Sequence, residues 1–385
     1  MSAIQSPLED ALLRGQGAVY DQLTEGLTAR LRVEELLDRA AASHPGLVPS
    51  PDEIAAERQR ELRDQEGVEL AQGRLLAAWL ADRRIGTHLV ESMLRPKPES
   101  VELLPRYQSD GAVDLGAASV ERRGNQGVVT LTRPERLNAE NDETTVALET
   151  AVDLVLLDPA SEVGVLRGGV VDHPRYRGRR VFSSGLDLSE LYEGRLSYLF
   201  FIVRELGFVS KILRGAAAPD GWLEKPWLAG VETFAIGGGA QLLLVMDRVV
   251  AEREAVLSLP ASREGIIPGA AALRLPGFTG LSRARRSIMF DEQWAADSTE
   301  GRLLVDDLVE PGQVDDAIST AAERLLAMGS VSVIANRRAL RAAQEPLDAF
   351  RAFMSTYAIE QARCLTSDAL VRNLERTWVG RRSES

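Results

Sequence analysis

The chain has 385 residues, of which 45% are hydrophobic and 26% are charged, as in an ordinary folded protein of about two to three domains. Its formal net charge of −12 disfavours nonspecific binding of nucleic acid. No apolar run approaches the ~18 residues that cross a bilayer, and Glu9 and Asp10 stand where a signal peptide would be apolar. Cys364 is the single cysteine, so the chain has no internal disulfide, which fits a reducing compartment. We therefore expect a cytoplasmic protein that is not embedded in a membrane.

Helical spacing dominates the first part of the chain. Segments Ala11–Leu36 and Glu53–Leu80 place apolar residues three and four positions apart, the period of a helix with one buried face. Three prolines from position 45 to position 51 interrupt this pattern and divide it into separate helices. We therefore predict an N-terminal helical domain over residues 1–115.

From residue 116 short apolar runs alternate with helical segments. One predicted helix is Glu143–Leu157, and the runs that predict strands are Gly127–Thr132, Val163–Leu166, Val181–Ser183, Trp227–Val231 and Val249–Val250. Strands and helices in alternation indicate a layered α/β core, which we place at residues 116–300. Helical spacing returns over Gln313–Trp378, within a predicted C-terminal helical region of residues 301–385.

The strongest local signal is the segment Phe234–Asp247, in which an apolar strand ends, three glycines follow and an apolar helix begins. Glycines at 237–239 let the backbone approach a ligand closely, and the first turn of the helix points unpaired N–H groups outward. A tight turn between strand and helix would have the same pattern. A phosphate-binding loop fits less well, because no Lys-Ser/Thr pair follows the glycines.

A second turn of the same kind occurs in Arg179–Leu188, where an apolar stretch runs into Ser183-Ser-Gly185 and then toward a helix. Taken alone this pattern is weak. Together the two turns supply two backbone N–H donors, the number that an oxyanion hole normally needs.

Two further segments, Leu131–Glu140 and Leu259–Gly269, complete a set of four motifs that in this order resembles the crotonase (enoyl-CoA hydratase/isomerase) superfamily over residues 120–310. The resemblance implies a crotonase-type ββα spiral core and a coenzyme A thioester as substrate. It also implies that the backbone N–H groups of Leu186 and Gly238 hold the thioester oxygen as it becomes an enolate.

The same resemblance implies that CoA binds near the basic loop Arg175–Arg180, with Arg179 and Arg180 on its phosphates, although a solvated basic loop has the same composition. Crotonases pack their C-terminal helices between subunits, so a homotrimer or a hexamer is expected. Hydratases of the family use glutamates at the positions of Gln241 and Ala261. Neither residue can accept a proton at neutral pH, so simple hydration is not expected.

A closer resemblance is carried by Asn138-Ala-Glu140, Arg204–Gly207, Lys225-Pro-Trp227 and the glycine-rich and Pro-Gly segments. These segments look like those of the 3,5-dihydroxyphenylacetyl-CoA 1,2-dioxygenases, crotonases of antibiotic pathways that use O₂ without a metal or an organic cofactor. The three histidines and the single cysteine show no metal-ligand spacing, which fits that chemistry. The resemblance implies that ring hydroxyls are recognised by Glu140, Arg204 and Gln241, and that a dry oxygen pocket is formed by Leu186, Ala261 and Ile266.

Two other functions stay open at this point. The chain could be another crotonase enzyme, an isomerase, hydrolase or decarboxylase that acts on an aryl-CoA. It could also be a catalytically silent crotonase fold that binds a partner, although the retained glycines and Pro268-Gly269 speak against this. The sequence names neither the ring substitution of the substrate nor the general base.

Overall fold

A computed structural model of the protein describes residues 15–219 and 221–379. Glu9, Asp10 and the start of the predicted helix Ala11–Leu36 lie outside the described residues.

The N-terminal part is helical, as predicted, but the predicted segments Ala11–Leu36 and Glu53–Leu80 are interrupted by residues 24–32 and 58–69, which form no α-helix. The proline at position 51 acts as the sequence indicates. A capping box starts the helix at Pro51: the Ser50 hydroxyl accepts a hydrogen bond from the N–H of Glu53 at 3.3 Å, and the Glu53 carboxylate accepts one from the N–H of Ser50 at 2.8 Å. The helices ahead of the first strand are α1 (Gln16–Leu23), α2 (Val33–Ser43), α3 (Pro51–Glu57), α4 (Leu70–Ala81), α5 (Arg83–Met93) and α6 (Pro98–Asp110).

Strands begin after α6 and form a large sheet, a small sheet and a short hairpin. They are β1 (Ala112–Asp114), β2 (Ala118–Arg123), β3 (Gln126–Leu131), β4 (Val163–Gly168), β5 (Ala216–Ala218), β6 (Gly221–Leu223), β7 (Trp227–Val231), β8 (Phe234–Ile236), β9 (Arg248–Glu252), β10 (Val256–Ser258), β11 (Trp294–Ala295) and β12 (Asp307–Val309). The large sheet has the order β1-β2-β3-β4-β7-β9-β12 and is parallel from β3 onward. The small sheet has the order β11-β10-β8, with β8 and β10 parallel.

Helices cover the sheets between and after the strands. They are α7 (Asp142–Leu157), α8 (Leu188–Tyr192), α9 (Tyr198–Arg204), α10 (Ser210–Arg214), α11 (Gly238–Leu243), α12 (Ala261–Glu264), α13 (Ala271–Thr279), α14 (Leu281–Phe290), α15 (Val314–Ala327), α16 (Ser330–Gln344), α17 (Leu347–Leu365) and α18 (Asp368–Leu374). Every residue of β4 and β7 is buried, as expected for parallel strands covered on both faces. The predicted α/β fold class with N- and C-terminal helices is confirmed.

One predicted strand, Val181–Ser183, is wrong. The segment is extended, but its N–H groups bond to two different segments. Val181 donates to the carbonyl oxygen of Gly169 at 3.3 Å, whereas Phe182 and Ser183 donate to those of Glu232 at 3.2 Å and Phe234 at 3.4 Å. It therefore crosses between the sheets and forms only isolated bridges. The β-branched run predicts an extended backbone correctly, but it carries no information on whether a single neighbouring strand is available.

The N-terminal helices and α17 share one hydrophobic core, which includes Leu76, Trp79, Leu89, Met354 and Ala358. A methyl group added to Gly73 of α4 would lie 2.5 Å from the β-carbon of Ala362, so the two helices approach each other closely. The division into three domains stays a prediction. Among the described helices none is by itself long and apolar enough to cross a membrane; only α15 and α16, bent by 98° to each other, pass that test as a pair.

Candidate active site

Three loops leave the small sheet at one edge and surround a cavity. Strands β8 and β10 are parallel, with Ser258 opposite Ile236, so the loops that follow them begin side by side. Ser183 forms a parallel bridge with Ala235, which brings the loop of Leu186 to the same edge. Parallel strands deliver their carboxyl-terminal loops to one edge, where α/β proteins commonly bind ligands.

The backbones of two of these loops are in contact, because each loop has a glycine at the point where they meet. Gly185 and Gly237 have φ angles of +86° and +52°, a region that side chains disfavour. A β-carbon added to Gly185 would lie 2.8 Å from the carbonyl oxygen of Ile236 and 3.3 Å from the nitrogen of Gly238. The two predicted oxyanion donors are therefore held on adjoining loops.

The N–H groups of Leu186 and Gly238 are both without an acceptor among the described residues. Leu186 lies opposite Glu140 in a parallel β-bridge, between the two residues that make its hydrogen bonds. The N–H of Glu140 donates to the carbonyl oxygen of Gly185 at 2.6 Å, and the N–H of Asp187 donates to the carbonyl oxygen of Glu140 at 2.8 Å. In such a bridge the N–H of the middle residue points away from the partner segment. Two unpaired donors at one cavity are the arrangement that an oxyanion hole requires.

The cavity is narrow, with about 30 Å³ of space for the centres of water-sized molecules. It brings together most of the residues that the sequence singles out, which are Glu140, Leu186, Arg204, Gly238, Gln241, Ala261 and Ile266. Residues that the sequence analysis did not single out also line it, among them Phe200, Phe201, Glu205, Glu264 and Tyr357.

Arg204, the last residue of α9, is the centre of the polar cluster. Its Nε and Nη2 donate to the two carboxylate oxygens of Glu140 at 2.7 and 3.2 Å. Its Nη1 donates to Glu205 at 2.8 Å and to the side-chain oxygen of Gln241 at 3.1 Å. Nη2 also donates to the carbonyl oxygen of Gly238 at 2.8 Å, so the guanidinium also holds the loop that carries Gly238.

These contacts engage all five N–H donors of the Arg204 guanidinium. Burial by itself lowers the pKa of Arg204, but the charges of Glu140 and Glu205 outweigh burial and raise it above its ordinary value. A direct bond from Arg204 to a ring hydroxyl would therefore have to replace one of the present bonds. With these bonds in place, Arg204 affects a ligand by orienting the carboxylates of Glu140 and Glu205 and the amide of Gln241.

Two groups in the cavity have hydrogen-bonding capacity to spare. The side-chain nitrogen of Gln241 and the hydroxyl of Tyr357 make no hydrogen bond to any residue in the described ranges. Burial raises the pKa of the Tyr357 phenol well above its ordinary value, so the hydroxyl keeps its proton. Both groups can therefore donate to an oxygen of a bound ligand.

Glu264 is a further ionisable group in the cavity. It ends α12, three positions after Ala261, and its carboxylate accepts no hydrogen bond from the described part of the chain. Burial raises the pKa of the Glu264 carboxyl to about 7, and the charge of Arg263 opposes this effect only in part. At neutral pH this carboxyl can both lose and accept a proton.

The sequence contains a signal for two of these missed residues. Glu205 directly follows Arg204, and Glu264 lies inside the segment Leu259–Gly269. Nothing local distinguishes Tyr357, which reaches the cavity only because α17 packs against α9: its neighbour Ala358 accepts a hydrogen bond from the Tyr198 hydroxyl at 2.9 Å.

Arg179 and Arg180 do not line this cavity. They line a separate cleft with Arg167, Glu232 and Glu252, and no lining residue is shared between the two. Arg179 is half-exposed and lies 3.8 Å from Glu252, and Arg180 donates to the carbonyl oxygen of Gly168 at 3.3 Å. Their predicted contact with CoA phosphates stays a prediction. Within residues 15–219 and 221–379 no three His, Cys, Asp or Glu side chains are grouped to hold a metal ion.

Comparison with known proteins agrees with this geometry. Residues 121–358 match the sequence model of the family described as enoyl-CoA hydratase/isomerase. The chain is 49% identical over 349 residues to the (3,5-dihydroxyphenyl)acetyl-CoA 1,2-dioxygenase of Amycolatopsis orientalis, a match that covers 89% of this chain and 80% of that protein. It is 28% identical over 246 residues to the short-chain-enoyl-CoA hydratase of Clostridium acetobutylicum, covering 63% of this chain and 88% of that protein.

Solved structures give the same picture of the fold. A crystal structure of an enoyl-CoA hydratase/isomerase from Mycobacterium paratuberculosis superposes with a TM-score of 0.58 at 22% identity, covering 69% of this chain and all of that chain. The family match and the 49% identity extend through the loops that build the cavity. The chain therefore belongs to the enoyl-CoA hydratase/isomerase (crotonase) family.

Proposed function

We propose that the protein is a dioxygenase that converts 3,5-dihydroxyphenylacetyl-CoA and O₂ to 3,5-dihydroxyphenylglyoxylate and free CoA, without a metal or an organic cofactor. The observation that carries the proposal is the 49% identity to the Amycolatopsis orientalis dioxygenase over 89% of the chain. The match to the Clostridium acetobutylicum hydratase covers only 63%. The likeness to the dioxygenase thus includes much of the chain outside the part shared with that hydratase.

In the proposed reaction the thioester oxygen binds between the N–H groups of Leu186 and Gly238. Loss of an α-proton leaves its electron pair in an enolate, whose negative oxygen the two donors stabilise. One such donor typically contributes ~2.7–4 kcal/mol to the transition state. The aryl ring spreads the remaining charge.

The electron-rich carbanion then gives one electron to O₂, and the two radicals combine into a peroxide at the α-carbon. The peroxide attacks the thioester carbonyl and expels CoA as a thiolate. Cleavage of the O–O bond, with loss of the second α-proton, yields the α-keto acid. The two oxygen atoms of O₂ both enter the acid, and no external reductant is needed. The apolar surface of Leu186, Ala261 and Ile266 offers O₂ a place from which water is excluded.

The polar cluster would recognise the ring. A phenol hydroxyl can donate to the carboxylate of Glu140 and accept from the free amide nitrogen of Gln241. The hydrogen bonds of Arg204 to both side chains, at 2.7 and 3.1 Å, support this assignment, because they keep the carboxylate and the amide beside each other. The nucleotide end of CoA lies far from the thioester, and we assign Arg179 and Arg180 to its phosphates.

The direct test supplies purified protein with 3,5-dihydroxyphenylacetyl-CoA and ¹⁸O₂ and identifies the products by mass. We expect the glyoxylate, labelled at two oxygens, together with free CoA. Formation of CoA with unlabelled arylacetate would identify a hydrolase instead. Bound, unchanged thioester would identify a binding protein.

We further expect that protein stripped of metals by a chelator turns over at the full rate. The lining carboxylates of Glu140 and Glu205 are bonded to Arg204, and the enolate itself supplies electrons to O₂. Oxygen uptake is measured before and after dialysis, with elemental analysis of the same sample. A rate that depends on added iron or copper would contradict the cofactor-free mechanism.

We also expect a homo-oligomer, a trimer or a hexamer. The C-terminal helices expose large apolar side chains at Met328 (71% exposed), Val331 (83%) and Leu340 (61%), which a second subunit could cover. Light scattering should give about three or six times the chain mass of 42.0 kDa. A stable particle of one chain mass would contradict this expectation.

A further inference from the structure

We propose that Glu264 is the general base that removes the α-proton of the bound acyl-CoA. This inference rests on the proposed enolate-forming function. It names the residue that the sequence leaves open and that the reaction requires, because an oxyanion hole stabilises an enolate but does not itself accept a proton from carbon.

The position of Glu264 follows from the small sheet. Strand β10 ends at Ser258, whose carbonyl oxygen accepts a hydrogen bond of 2.8 Å from the N–H of Gly237, next to the donor Gly238. Helix α12 begins three residues later and carries Glu264 at its end. Ala261 and Glu264 are one helical turn apart and line the same cavity as both oxyanion donors. The carboxylate thus enters the acyl cavity from the loop that contacts the oxyanion loop.

The other ionisable groups of the cavity are engaged or protonated. Both oxygens of Glu140 accept hydrogen bonds from Arg204. Glu205 accepts from Arg204 at 2.8 Å and from Arg274 at 3.4 Å. Tyr357 keeps its proton, because burial raises the pKa of its phenol. Of the carboxylates that line the cavity, only Glu264 has no hydrogen bond to a described residue, so its lone pairs are available.

The surroundings of Glu264 keep it basic at neutral pH. The charged groups that act on it are Arg263, on its own helix, and Asp291, which follows α14. These two form an ion pair with each other, so neither is committed to Glu264. Helix α18 brings Leu370 and Asn373, both uncharged, against the adjacent Gly265. Burial therefore dominates and raises the pKa of Glu264 to about 7, near the value that suits a base in neutral solution.

The proposed step transfers one proton from the α-carbon of the thioester to the carboxylate of Glu264. The α-carbon–hydrogen bond breaks, its electron pair enters the enolate, and the proton forms an O–H bond on Glu264. When CoA leaves as a thiolate, this proton can pass to its sulfur, which returns Glu264 to the carboxylate. The same carboxylate can then accept the second α-proton, which is lost as the peroxide bond breaks.

The test separates proton removal from oxygen chemistry. Protein is mixed with 3,5-dihydroxyphenylacetyl-CoA in D₂O without oxygen, and exchange of the α-proton is followed by nuclear magnetic resonance. Glu264→Gln should slow the exchange by ~10²–10⁴-fold, the usual contribution of a general base, and slow oxygen uptake in proportion. The exposed Glu310→Gln, which makes the same chemical change beside Arg253, should exchange at the wild-type rate.

Several outcomes decide the inference. Chemical rescue of Glu264→Ala by formate would support it, because a positional role is not restored by a free carboxylate. Wild-type exchange should rise with pH around a midpoint near 7, since the base acts only when deprotonated. If Glu264→Gln fails to fold, the pH dependence of the wild-type exchange rate is the test. An exchange rate that does not change with pH overturns the proposal.

The failure of the base and the failure of the dioxygenase are distinguishable. If the wild-type protein takes up oxygen and Glu264→Gln exchanges the α-proton as fast as the wild type, Glu264 is not the base. The proposed dioxygenase function is then retained. Wild-type exchange without oxygen uptake overturns the dioxygenase, and the comparison with Glu264→Gln still tests the base. Wild-type protein that shows neither activity overturns both.

Discussion

Replacing Arg204 with methionine should lower the free energy of unfolding by about 3–5 kcal/mol, as expected when one partner of a buried ion pair is removed. The side chains of Glu140 and Glu205 are each 1% exposed, and Arg204 bonds to both. Without the guanidinium Glu140 becomes a buried charge with no ion-pair partner among the described residues, and Glu205 keeps only Arg274. Methionine occupies a similar volume, so the loss reports the charge rather than a cavity.

Urea unfolding measures this loss. The matched control is Arg253→Met, because the pair of Arg253 with Glu310 is exposed, and exposed pairs contribute only ~0–1 kcal/mol. Combining Arg204→Met with Glu140→Gln should recover part of the stability, since the stranded charge is then removed. An unfolding free energy for Arg204→Met that equals that of Arg253→Met would mean that the cluster does not stabilise the fold.

The second large effect is expected at Gln241, the residue that most separates this chain from a hydratase. Gln241→Glu should reduce oxygen uptake and α-proton exchange together by roughly 10²-fold, equivalent to ~2.7 kcal/mol. A carboxylate at this position would oppose the enolate charge that Leu186 and Gly238 stabilise, and it would be a third carboxylate around Arg204. It would also lose the free amide nitrogen that can donate to a ring hydroxyl.

The side-chain oxygen of residue 241 can still accept from Arg204 after this change, so the fold should be retained. Gln344→Glu, on the exposed face of α16, makes the same substitution away from the cavity and should leave the rate unchanged. No hydratase activity should appear, because Ala261 still offers no second carboxylate. Wild-type oxygen uptake by Gln241→Glu would show that this side chain does not face the enolate.

Local properties of the sequence predicted the buried strands of the large sheet and the helix that follows β3, but not the short outer strands such as β1, β2 and β12. The strand Trp227–Val231 and the helix α7 were predicted nearly to the residue, because apolar spacing depends only on neighbours along the chain. The two glycine turns at the cavity could be predicted for a similar reason. Gly185 and Gly237 adopt positive φ angles that glycine permits, and the backbone donors beside them need no particular side chain.

What depends on distant partners was decided only by the tertiary structure. Val181–Ser183 is extended as predicted but is not a strand, because its hydrogen bonds are divided between two segments. The sequence placed Arg204 at the cavity but could not show that its five donors are all engaged. Three residues distant from it in the chain, Glu140, Gly238 and Gln241, supply acceptors together with its neighbour Glu205 only after folding. Glu264 lay inside a recognised motif, yet its unpaired carboxylate and its raised pKa follow from burial against α14 and α18. The sequence by itself therefore determined the family, the α/β fold class and the two glycine turns. The ionisation and pairing of the side chains between those turns were set by long-range packing, which fixes the local dielectric and the partners of each charge.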